Sequence, residues 1–514
     1  MEPLALPPPY RGQQDNVPLV EVLSPYAEKV QNFNHDDSAS RLRHGDSVWA
    51  TKASAFPLNL STYGIGSAQK LFIAYDSGGA GIKFAEGTAG GAMSDVYSPG
   101  GAGGDDEIHT LYFNNVLTFF GEFTLTPSGV GNPQYNGSAW GLSGYTYGGS
   151  FLPFGGTAFK NRAYIIGRYS TKYSYGGINA ISGATTEVDL AQIISSAGYL
   201  YGIRSVSLSE GLEQENVLCF LFSSGEVLAY AGSYPNSADW KLVGRFVISP
   251  PIYYNAFVDA NGDSYVITSA GLISLRALFT QGVRVATVQP LSYAIQNRWE
   301  QVLGFDWAAV SKEIFIKGVF DQKRNRIIIF LPSYIDEDGA EDTLNGLRLV
   351  YSFKTNSWSE HKLKQAPTVT SATYFKKASY YGQTGGIMKV EGASGFTDEQ
   401  IDGDPDVGIE FDLISGPIAK GRANVARATG LDVIVETDMY SEAYYSFIRD
   451  LGVSSTTPQL VPSQGSTLQK PNANIGIEGS YIQYRINGTT TSGKTVGYNL
   501  YGVNVWAETG RSPR

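Results

Sequence analysis

One short basic turn has residues that could contact phosphate. Lys323, Arg324 and Arg326 lie in the run Asp321-Gln322-Lys323-Arg324-Asn325-Arg326, which joins two apolar segments with the pattern of strands. Because ammonium and guanidinium groups form charge-assisted hydrogen bonds with phosphate oxygens, these three residues are the candidates for a phosphate contact facing a channel. The alternative is a solvated hairpin tip, which is the commoner role of such a turn.

Residue types that often perform catalysis or bind metals show no functional spacing. The four histidines, His35, His44, His109 and His361, lie neither at the i, i+4 spacing of a zinc-binding helix nor beside a second type of ligand, so we predict surface or loop positions for them. No Gly-x-Ser-x-Gly, phosphate-loop or Cys-x-x-Cys motif occurs. We therefore nominate no catalytic residue, no cofactor and no metal site.

Acidic residues leave weaker alternatives open. Asp259–Asp263 superficially resembles a calcium loop, but its glycine is misplaced and no bidentate Glu follows, so a hairpin turn is favoured. Asp336–Asp342 and Asp402–Asp406 are alternatives for a weak divalent-ion site, but solvated loops are the favoured interpretation of such acidic runs. A pair of carboxylates for glycoside hydrolysis stays open as an alternative, because the two residues of such a pair are close in the folded protein and not in the sequence. The chain has 48 acidic residues, so the sequence alone does not select a pair.

Aromatic clusters and the cysteine have simpler interpretations. Tyr145–Tyr147 and Tyr169–Tyr175 could stack sugars or bases or line a subunit contact, but cross-strand pairing inside a sheet is commoner. Cys219, the one cysteine, lies in an apolar run and is predicted to be a core residue.

The N-terminus lacks the pattern of a signal peptide, and the apolar runs are far shorter than the ~20 residues that span a bilayer. We expect a soluble chain that is not exported.

Composition indicates an all-β protein. The 514 residues include 60 Gly, 33 Tyr and 25 Phe, and 17% are charged, whereas about 25% is usual. Since aromatic and β-branched side chains fit a pleated sheet, and Gly and Asn supply the positive φ angles of tight turns, we expect strands joined by short turns. The formal charge of −10 argues against a protein that binds nucleic acid by broad phosphate neutralisation.

The pattern divides the chain into three regions. Residues 1–50 lack sustained periodicity and predict an extended N-terminal arm. Residues 51–414 are short apolar runs separated by Gly, Asn, Asp and Ser, clustered roughly 40–50 residues apart, as in propeller blades. Because a closed ring hides sheet edges, we predict a β-propeller, with an array of sandwiches as the alternative. Residues 415–514 predict a C-terminal β-sandwich-like module with nine basic and seven acidic residues, against 29 and 41 in residues 1–414.

Several local elements follow from the same patterns. Asn261-Gly262 between two apolar runs predicts a hairpin with a type I′ turn. The Gly-rich segment 76–104 and the acidic segment 392–412 predict long loops. Short helices are predicted over Pro290–Trp299 and Glu442–Leu451.

Several passages together resemble a known family, the tail nozzle proteins, also called tail tubular or hub proteins, of short-tailed bacteriophages. Three propeller passages are similar. Val258–Phe279 contains a hairpin, Ile316–Leu331 contains two strands joined by a polar turn, and Leu349–Ser359 contains a strand that ends in a turn and a Trp. The similar arm passages are Pro9-Tyr10-Arg11-Gly12, Ala27–Phe33 and Arg41-Leu42-Arg43-His44-Gly45.

This resemblance implies a non-enzymatic structural protein of the virion tail, assembled in the host cytoplasm. Identical chains would form a homohexameric ring below the portal and adaptor, contact tail fibres or spikes, and let double-stranded DNA pass transiently through the lumen. The propeller would form the wall and the terminal segments a platform. Lys323, Arg324 and Arg326 become DNA-channel or gate residues, and the loops 76–104 and 392–412 become gate candidates. An acidic wall would repel the phosphate backbone and so let DNA slide.

Two alternatives remain open. Tyr351–Trp358 is also similar to the end of a kelch blade, but the paired glycines of kelch blades do not recur in register. The second alternative is a glycan-binding or glycan-cleaving β-propeller, either a lectin or a tail-associated hydrolase, that uses surface aromatic residues.

Overall fold

The fold is given by a computed structural model of the chain. It describes residues 4–6, 9–16, 26–36, 39–52, 55–77, 81–87, 89–99, 108–121, 131–149, 151–208, 216–254, 256–280, 288–303, 316–331, 346–363, 369–401, 405–417, 426–436, 443–449, 454–455, 458–460, 477–479, 482–490 and 499–509. Within these ranges the chain is built almost entirely of β-strands, which confirms the all-β prediction. No helix in the described part is long and apolar enough to cross a membrane.

Strands near the N-terminus precede the propeller. The described ones are β1 (Leu4–Leu6), β2 (Ala27–Gln31), β3 (Phe33–His35), β4 (Ser40–Leu42) and β5 (Ser47–Thr51). Each pairs with a strand that comes much later in the chain, or, for β3, with its neighbour β4. This segment therefore belongs to the body of the protein.

The first four blades are antiparallel four-stranded sheets. Blade 1 consists of β6 (Phe56–Tyr63), β7 (Lys70–Asp76), β8 (Ile82–Gly87) and β10 (Ser94–Tyr97), and the short β9 (Gly91–Ala92) pairs with β5. Blade 2 consists of β11 (His109–Phe113), β12 (Val116–Phe120), β13 (Pro133–Tyr135) and β14 (Trp140–Leu142). Blade 3 consists of β16 (Pro153–Phe159), β17 (Arg162–Gly167), β18 (Lys172–Tyr175) and β20 (Thr186–Asp189), with β15 (Gly144–Thr146) and β19 (Ser182–Ala184) paired beside it. Blade 4 consists of β21 (Leu200–Ser207), β22 (Asn216–Phe222), β23 (Glu226–Ala231) and β24 (Lys241–Val247).

Three more blades complete the ring. Blade 5 has β25 (Phe257–Ala260), β26 (Asp263–Thr268) and β27 (Gly271–Ser274), followed by α1 (Leu275–Thr280) and α2 (Gln296–Leu303). Blade 6 has β28 (Lys317–Asp321), β29 (Arg326–Phe330), β30 (Leu347–Ser352) and β31 (Ser357–Lys362). Blade 7 has β32 (Ser371–Phe375), β33 (Ala378–Gln383) and β34 (Gly386–Lys389). Short 3₁₀ turns cover Gly66–Ala68 and Tyr293–Ile295.

The ring of blades closes through the N-terminal segment. The first strand of each blade contacts the next blade, and β32 of blade 7 contacts β6 of blade 1. Strand β5 supplies the outer strand of blade 7 by pairing antiparallel with β34, with Ala50 opposite Ile387. The described residues thus form a closed β-propeller of seven blades, and the predicted fold class is confirmed.

Middle strands of the blades are buried on both faces by the neighbouring blades. Residues Val217–Phe222 of β22 and all of β29 are buried, so these strands are continuous apolar runs rather than alternating ones. The hairpin between β25 and β26 turns at Asn261, with φ 52°, and Gly262, with φ 74°. Positive φ at both turn positions confirms the predicted type I′ turn.

A β-sandwich lies beside blade 6 and uses both ends of the chain. Before it, β35 (Thr397–Asp398) and β36 (Val407–Gly408) form a separate antiparallel pair. The C-terminal strands of the sandwich are β37 (Glu410–Ser415), β38 (Ala426–Glu436), β39 (Ala443–Arg449), β40 (Ser454–Ser455), β41 (Gln459–Leu460), β42 (Ile477–Gly479), β43 (Ile482–Thr489) and β44 (Asn499–Thr509). One sheet has the order β3-β4-β44-β38-β42. The other runs β2-β37-β43-β39-β40 and continues through β2 into β31 of blade 6.

The two sheets of the sandwich share one apolar core. It combines N-terminal Val30 and Phe33 with C-terminal residues such as Leu413, Phe447 and Val503. Strand β37, which ends at Ser415, pairs with β2 on one side and with β43 on the other. One sheet therefore contains strands from both sides of the boundary near residue 415 that the sequence pattern suggested. The sandwich requires the first part of the chain as well as the last.

Three local predictions are wrong. Glu442–Leu451 is not a helix, because Ala443–Arg449 forms β39, whose Ala443, Tyr445 and Phe447 alternate into the core with a period of two. Segment 76–104 is not a loop throughout, because its described part supplies β8 and β10 of blade 1. Segment 392–412 is not a loop throughout either, because its described part supplies β35, β36 and the start of β37. The helix predicted over Pro290–Trp299 exists but is shifted, since α2 covers Gln296–Leu303.

Candidate functional site

The predicted basic turn joins β28 and β29 at one end of blade 6. Lys323 is exposed, Arg324 is half-buried and Arg326 is buried, with 3% of its surface accessible. Asn325 takes φ 50°, which allows the tight reversal between two apolar strands. The structure therefore keeps the three basic residues in one turn but gives them different environments.

Arg326 is held by carboxylates from its own blade and from blade 7. Its Nε lies 3.1 Å from Asp321 Oδ2, and its Nη1 lies 2.6 Å from Glu391 Oε1. Arg324 approaches the same two carboxylates at 3.4 and 3.5 Å. Burial alone would raise the pKa of Glu391, but the charges of Arg326 and Arg324 outweigh it and hold that pKa well below its usual range. Arg326 is thus held mainly by these carboxylates, Arg324 lies half-buried beside them, and Lys323 faces solvent.

A second set of buried ion pairs lies next to this turn. Arg43 forms a bidentate pair with Asp398, and Arg348 pairs with Asp46. Backbone N–H groups donate further hydrogen bonds to these carboxylates. Asp46 N–H donates to Asp398 Oδ1 at 2.8 Å, and Glu391 N–H donates to Asp46 Oδ1 at 2.9 Å. We call this set the joint network, and its members are Arg43, Asp46, Arg326, Arg348, Glu391 and Asp398.

The joint network connects the N-terminal segment, blades 6 and 7, and the segment that enters the sandwich. A buried charge without a partner is costly, so these groups are stable only when all parts are in place. Sequence reasoning missed Arg43 and Asp398, whose side chains meet across 355 positions. The signal that was available is the passage Arg41–Gly45, which carries part of the family resemblance.

Close packing and backbone conformation require particular residues at two positions of the N-terminal segment, Gly45 and Asn32. Gly45 packs so closely that a Cβ atom there would lie 1.7 Å from the carbonyl oxygen of Thr397. Asn32 takes φ 65° and bridges three residues. Its Oδ1 accepts from Arg43 Nε and Lys362 N, and its Nδ2 donates to Lys362 O and Glu410 O. These residues hold the N-terminal segment against blade 6 and the sandwich.

A cleft of about 660 Å³ separates the blade 6 turn from sandwich strands β3 and β4. Five of its lining residues are basic: Arg41, Lys323, Arg324, Arg326 and Lys354. Two are acidic, Asp36 and Glu391, and His35 and His44 complete its titratable groups. The lining is therefore basic although the whole chain carries a formal charge of −10. We call it the basic cleft.

The prediction that the histidines lie at the surface or in loops is wrong for three of the four. His35, His109 and His361 are buried in strands. Burial lowers the pKa of His35 to about 4 and that of His109 to about 3, and it also lowers the pKa of His361. Only His44 is exposed, and its ring stacks on Phe396 with centroids 4.7 Å apart.

Other candidate groups have structural roles where they are described. No group of three or more His, Cys, Asp or Glu residues in the described ranges is placed to hold a metal ion. Asp259–Asp263 spans the type I′ hairpin, and Asp336–Asp342 lies outside the described residues. Cys219 is a buried core residue, as predicted, and burial raises the pKa of its thiol.

The tyrosine-rich segments divide between core and surface. Tyr173 and Tyr175 are buried in blade 3, and Tyr175 lies opposite Tyr164 in the strand pair, as cross-strand pairing predicts. Tyr169 is 56% exposed and contacts Tyr199 and Tyr254 edge to face. Tyr169 is therefore an exposed aromatic residue of blade 3, and its neighbour Tyr199 is also exposed.

Comparisons with known proteins give structural similarity only. No protein-family model and no curated protein sequence matches this chain. Among solved structures, the chain is similar to YCF48 bound to D1 peptide, with 10% identity, a TM-score of 0.39 and coverage of 71% of this chain and 98% of that chain. It is also similar to virginiamycin B lyase from Staphylococcus aureus (10% identity, TM-score 0.39, 67% and 97% covered) and to YCF48 from Cyanidioschyzon merolae (12% identity, TM-score 0.39, 67% and 99% covered). These identities and TM-scores are too low to support a conclusion about function.

Proposed function

We propose that this protein is a structural component of a short bacteriophage tail, a nozzle subunit that forms a ring around the path of the genome. The observation that carries the proposal is the position, in the structure, of the arm passages that resemble tail nozzle proteins. Gly12 bridges to Trp358 in blade 6, Ala27–Gln31 form β2 of the continuous sheet, and Arg43 and Gly45 build the joint next to Asp398 and Thr397. The similar arm passages are thus the ones that lock the propeller to the sandwich.

A conduit wall needs such a joint. Domains connected by a linker usually move relative to each other, unless a large and well-packed interface prevents it. Here a continuous sheet, a shared apolar core and the joint network cross between propeller and sandwich. A wall that contains pressurised DNA must transmit force without a hinge, and this connection supports that role.

The proposal includes a homohexameric ring, contacts with adaptor or portal-side proteins and with fibres or spikes, and passage of DNA without catalysis by this chain. The excess of acidic residues before position 415 supports a wall that repels phosphate. Segment 76–104 is withdrawn as a gate candidate, because its described strands are part of blade 1. In segment 392–412, Asp398 is committed to the joint network.

Native mass spectrometry of the purified chain across a concentration series, with negative-stain imaging of the same samples, tests this function. We expect a discrete ring whose mass is a whole multiple of the 55.5 kDa chain. A chain that stays monomeric at every concentration and binds polysaccharide in a pull-down would contradict the nozzle role and favour the glycan-binding alternative.

A further inference from the structure

Two buried nitrogen atoms in the lining of the basic cleft lack hydrogen-bond partners. They are Nη2 of Arg326 and Nε2 of His35. Arg326 is 3% exposed and His35 is 9% exposed, so neither side chain is broadly solvated. Buried polar groups in folded proteins are nearly always paired, which indicates that an additional group completes this site.

The missing partner must accept hydrogen bonds. A guanidinium group has only donors and stays charged at any ordinary pH. His35 Nδ1 lies 3.0 Å from Ser40 Oγ, and when that hydroxyl donates to Nδ1, the neutral ring presents Nε2–H as a donor. In that tautomer the cleft presents two donors, Arg326 Nη2 and His35 Nε2, and this pair favours an acceptor with several oxygen atoms.

The charge of the cleft favours an anion. Its two carboxylates are already engaged, because Glu391 pairs with Arg326 and Arg324, and Asp36 lies 2.7 Å from Arg41 Nε. Lys323, which is exposed, and half-buried Arg324 add positive charge at the same side. Charge-assisted hydrogen bonds from such groups to carboxylate or phosphate oxygens are stronger than neutral ones.

We propose that the basic cleft is a binding site for an oxyanion, a phosphate or carboxylate group of a small ligand, held by Arg326 and His35 in its wall and by Lys323 and Arg324 at the turn. Its volume of about 660 Å³ is in the range of sites that bind small molecules. The inference goes beyond the nozzle role and holds whether or not the chain forms a ring.

Binding at this site has a structural consequence. One wall of the cleft belongs to blade 6 and the other to sandwich strands β3 and β4. A ligand that contacts both walls binds the folded chain and not the unfolded one, so it raises the melting temperature in a saturable way.

Isothermal titration calorimetry and thermal melts test the site with two probes, inorganic phosphate and citrate, at constant ionic strength. The variant is the double substitution Lys323→Gln with Arg324→Gln. The matched control is Lys376→Gln with Lys377→Gln, which removes two charges from the corresponding turn of blade 7, outside the cleft lining. We expect saturable binding to the natural chain and the control, and a Kd at least tenfold higher for the cleft variant. The probe with the lower Kd identifies the oxyanion as phosphate or carboxylate.

Three results would overturn the proposal. One is the absence of saturable binding to the natural chain, and another is equal weakening in the cleft variant and the control. The third is an equal, unsaturated rise of melting temperature in all three proteins, which is the general effect of strongly hydrated anions. If the double variant unfolds, Lys323→Gln alone, at an exposed residue, replaces it with the same readouts.

Discussion

Arg43 and Asp398 face each other as a buried bidentate pair, with Nη1 2.8 Å from Oδ1 and Nη2 2.7 Å from Oδ2. The Arg43 side chain is fully buried and the Asp398 side chain is 8% exposed. The pair joins the segment before blade 7's outer strand to the segment that leaves blade 7 for the sandwich. Its two bonds fix the relative position of the two ends of the propeller chain.

Removing one charge of this pair should destabilise the fold strongly. In Asp398→Asn the guanidinium of Arg43 loses its bidentate carboxylate partner while it stays buried, and Asp46, 3.7 Å from its Nη1, is the carboxylate that remains beside it. We expect a loss of roughly 3–5 kcal/mol in the free energy of unfolding. Urea unfolding followed by tryptophan fluorescence measures it.

An exposed ion pair provides the control. Lys172 and Glu187 lie 2.6 Å apart with side chains 41% and 29% exposed, and Glu187→Gln should change stability by less than about 1 kcal/mol. Equal effects of the two substitutions would show that burial of Arg43–Asp398 does not control its contribution.

Gly45→Ala should destabilise the joint through steric conflict. The new Cβ would lie 1.7 Å from the carbonyl oxygen of Thr397, and backbone cannot move away as a flexible side chain can. We expect a loss of about 2 kcal/mol or more, seen as a lower urea midpoint. Gly141→Ala is the matched control, because nothing lies within 4 Å of its added Cβ. A neutral Gly45→Ala would mean that the joint is loosely packed.

Asp15 should make the protein less stable as pH rises through its titration. Burial raises the pKa of Asp15 from 3.8 to about 6, although backbone N–H groups of Arg298 and Asn297 at the start of α2 and the charge of Arg298 oppose this effect, while Glu360 adds to it. Between these pH values the folded chain binds the proton and the unfolded chain does not, so this group's contribution to stability falls as pH increases from about 4 to 6.

The substitution Asp15→Asn removes that titration. Relative to the natural chain, the variant should gain at most about 2 kcal/mol between pH 4 and pH 6, and less in proportion to solvent screening of the partly exposed carboxyl group. Urea unfolding at both pH values measures the difference. An unchanged difference between natural chain and variant at the two pH values would contradict the raised pKa.

His109 should have the opposite effect on acid stability. Burial, with the charges of Arg204 and Arg168, lowers the pKa of His109 from 6.5 to about 3. Between these values the unfolded chain binds the proton first, so stability falls as pH decreases below about 6.5. His109→Gln should lessen the fall in melting temperature between pH 7 and pH 4, and His44→Gln, at an exposed ring, is the control. An identical fall in natural chain and His109→Gln would contradict the prediction.

Local patterns were enough to predict much of the fold. The Asn261-Gly262 turn appears with both φ angles positive, and the spacing of apolar runs led to a closed propeller, because turn geometry and the period of strands depend mostly on neighbouring residues. The helix predicted over Glu442–Leu451 failed because a short apolar segment fits either period, and the sandwich core selects the period of two.

The sequence by itself determined the strand-rich composition, the tight turns, the acidic charge and the presence of Lys323, Arg324 and Arg326 in one turn. Only the tertiary structure decided that Arg326 is buried against Glu391, that Arg43 meets Asp398, and that both ends of the chain build one sandwich. The physical reason is the distance along the chain between the residues that interact. Turns and strand periods arise from residues a few positions apart, whereas burial, desolvation and ion pairing depend on partners that chain folding brings together from hundreds of positions away.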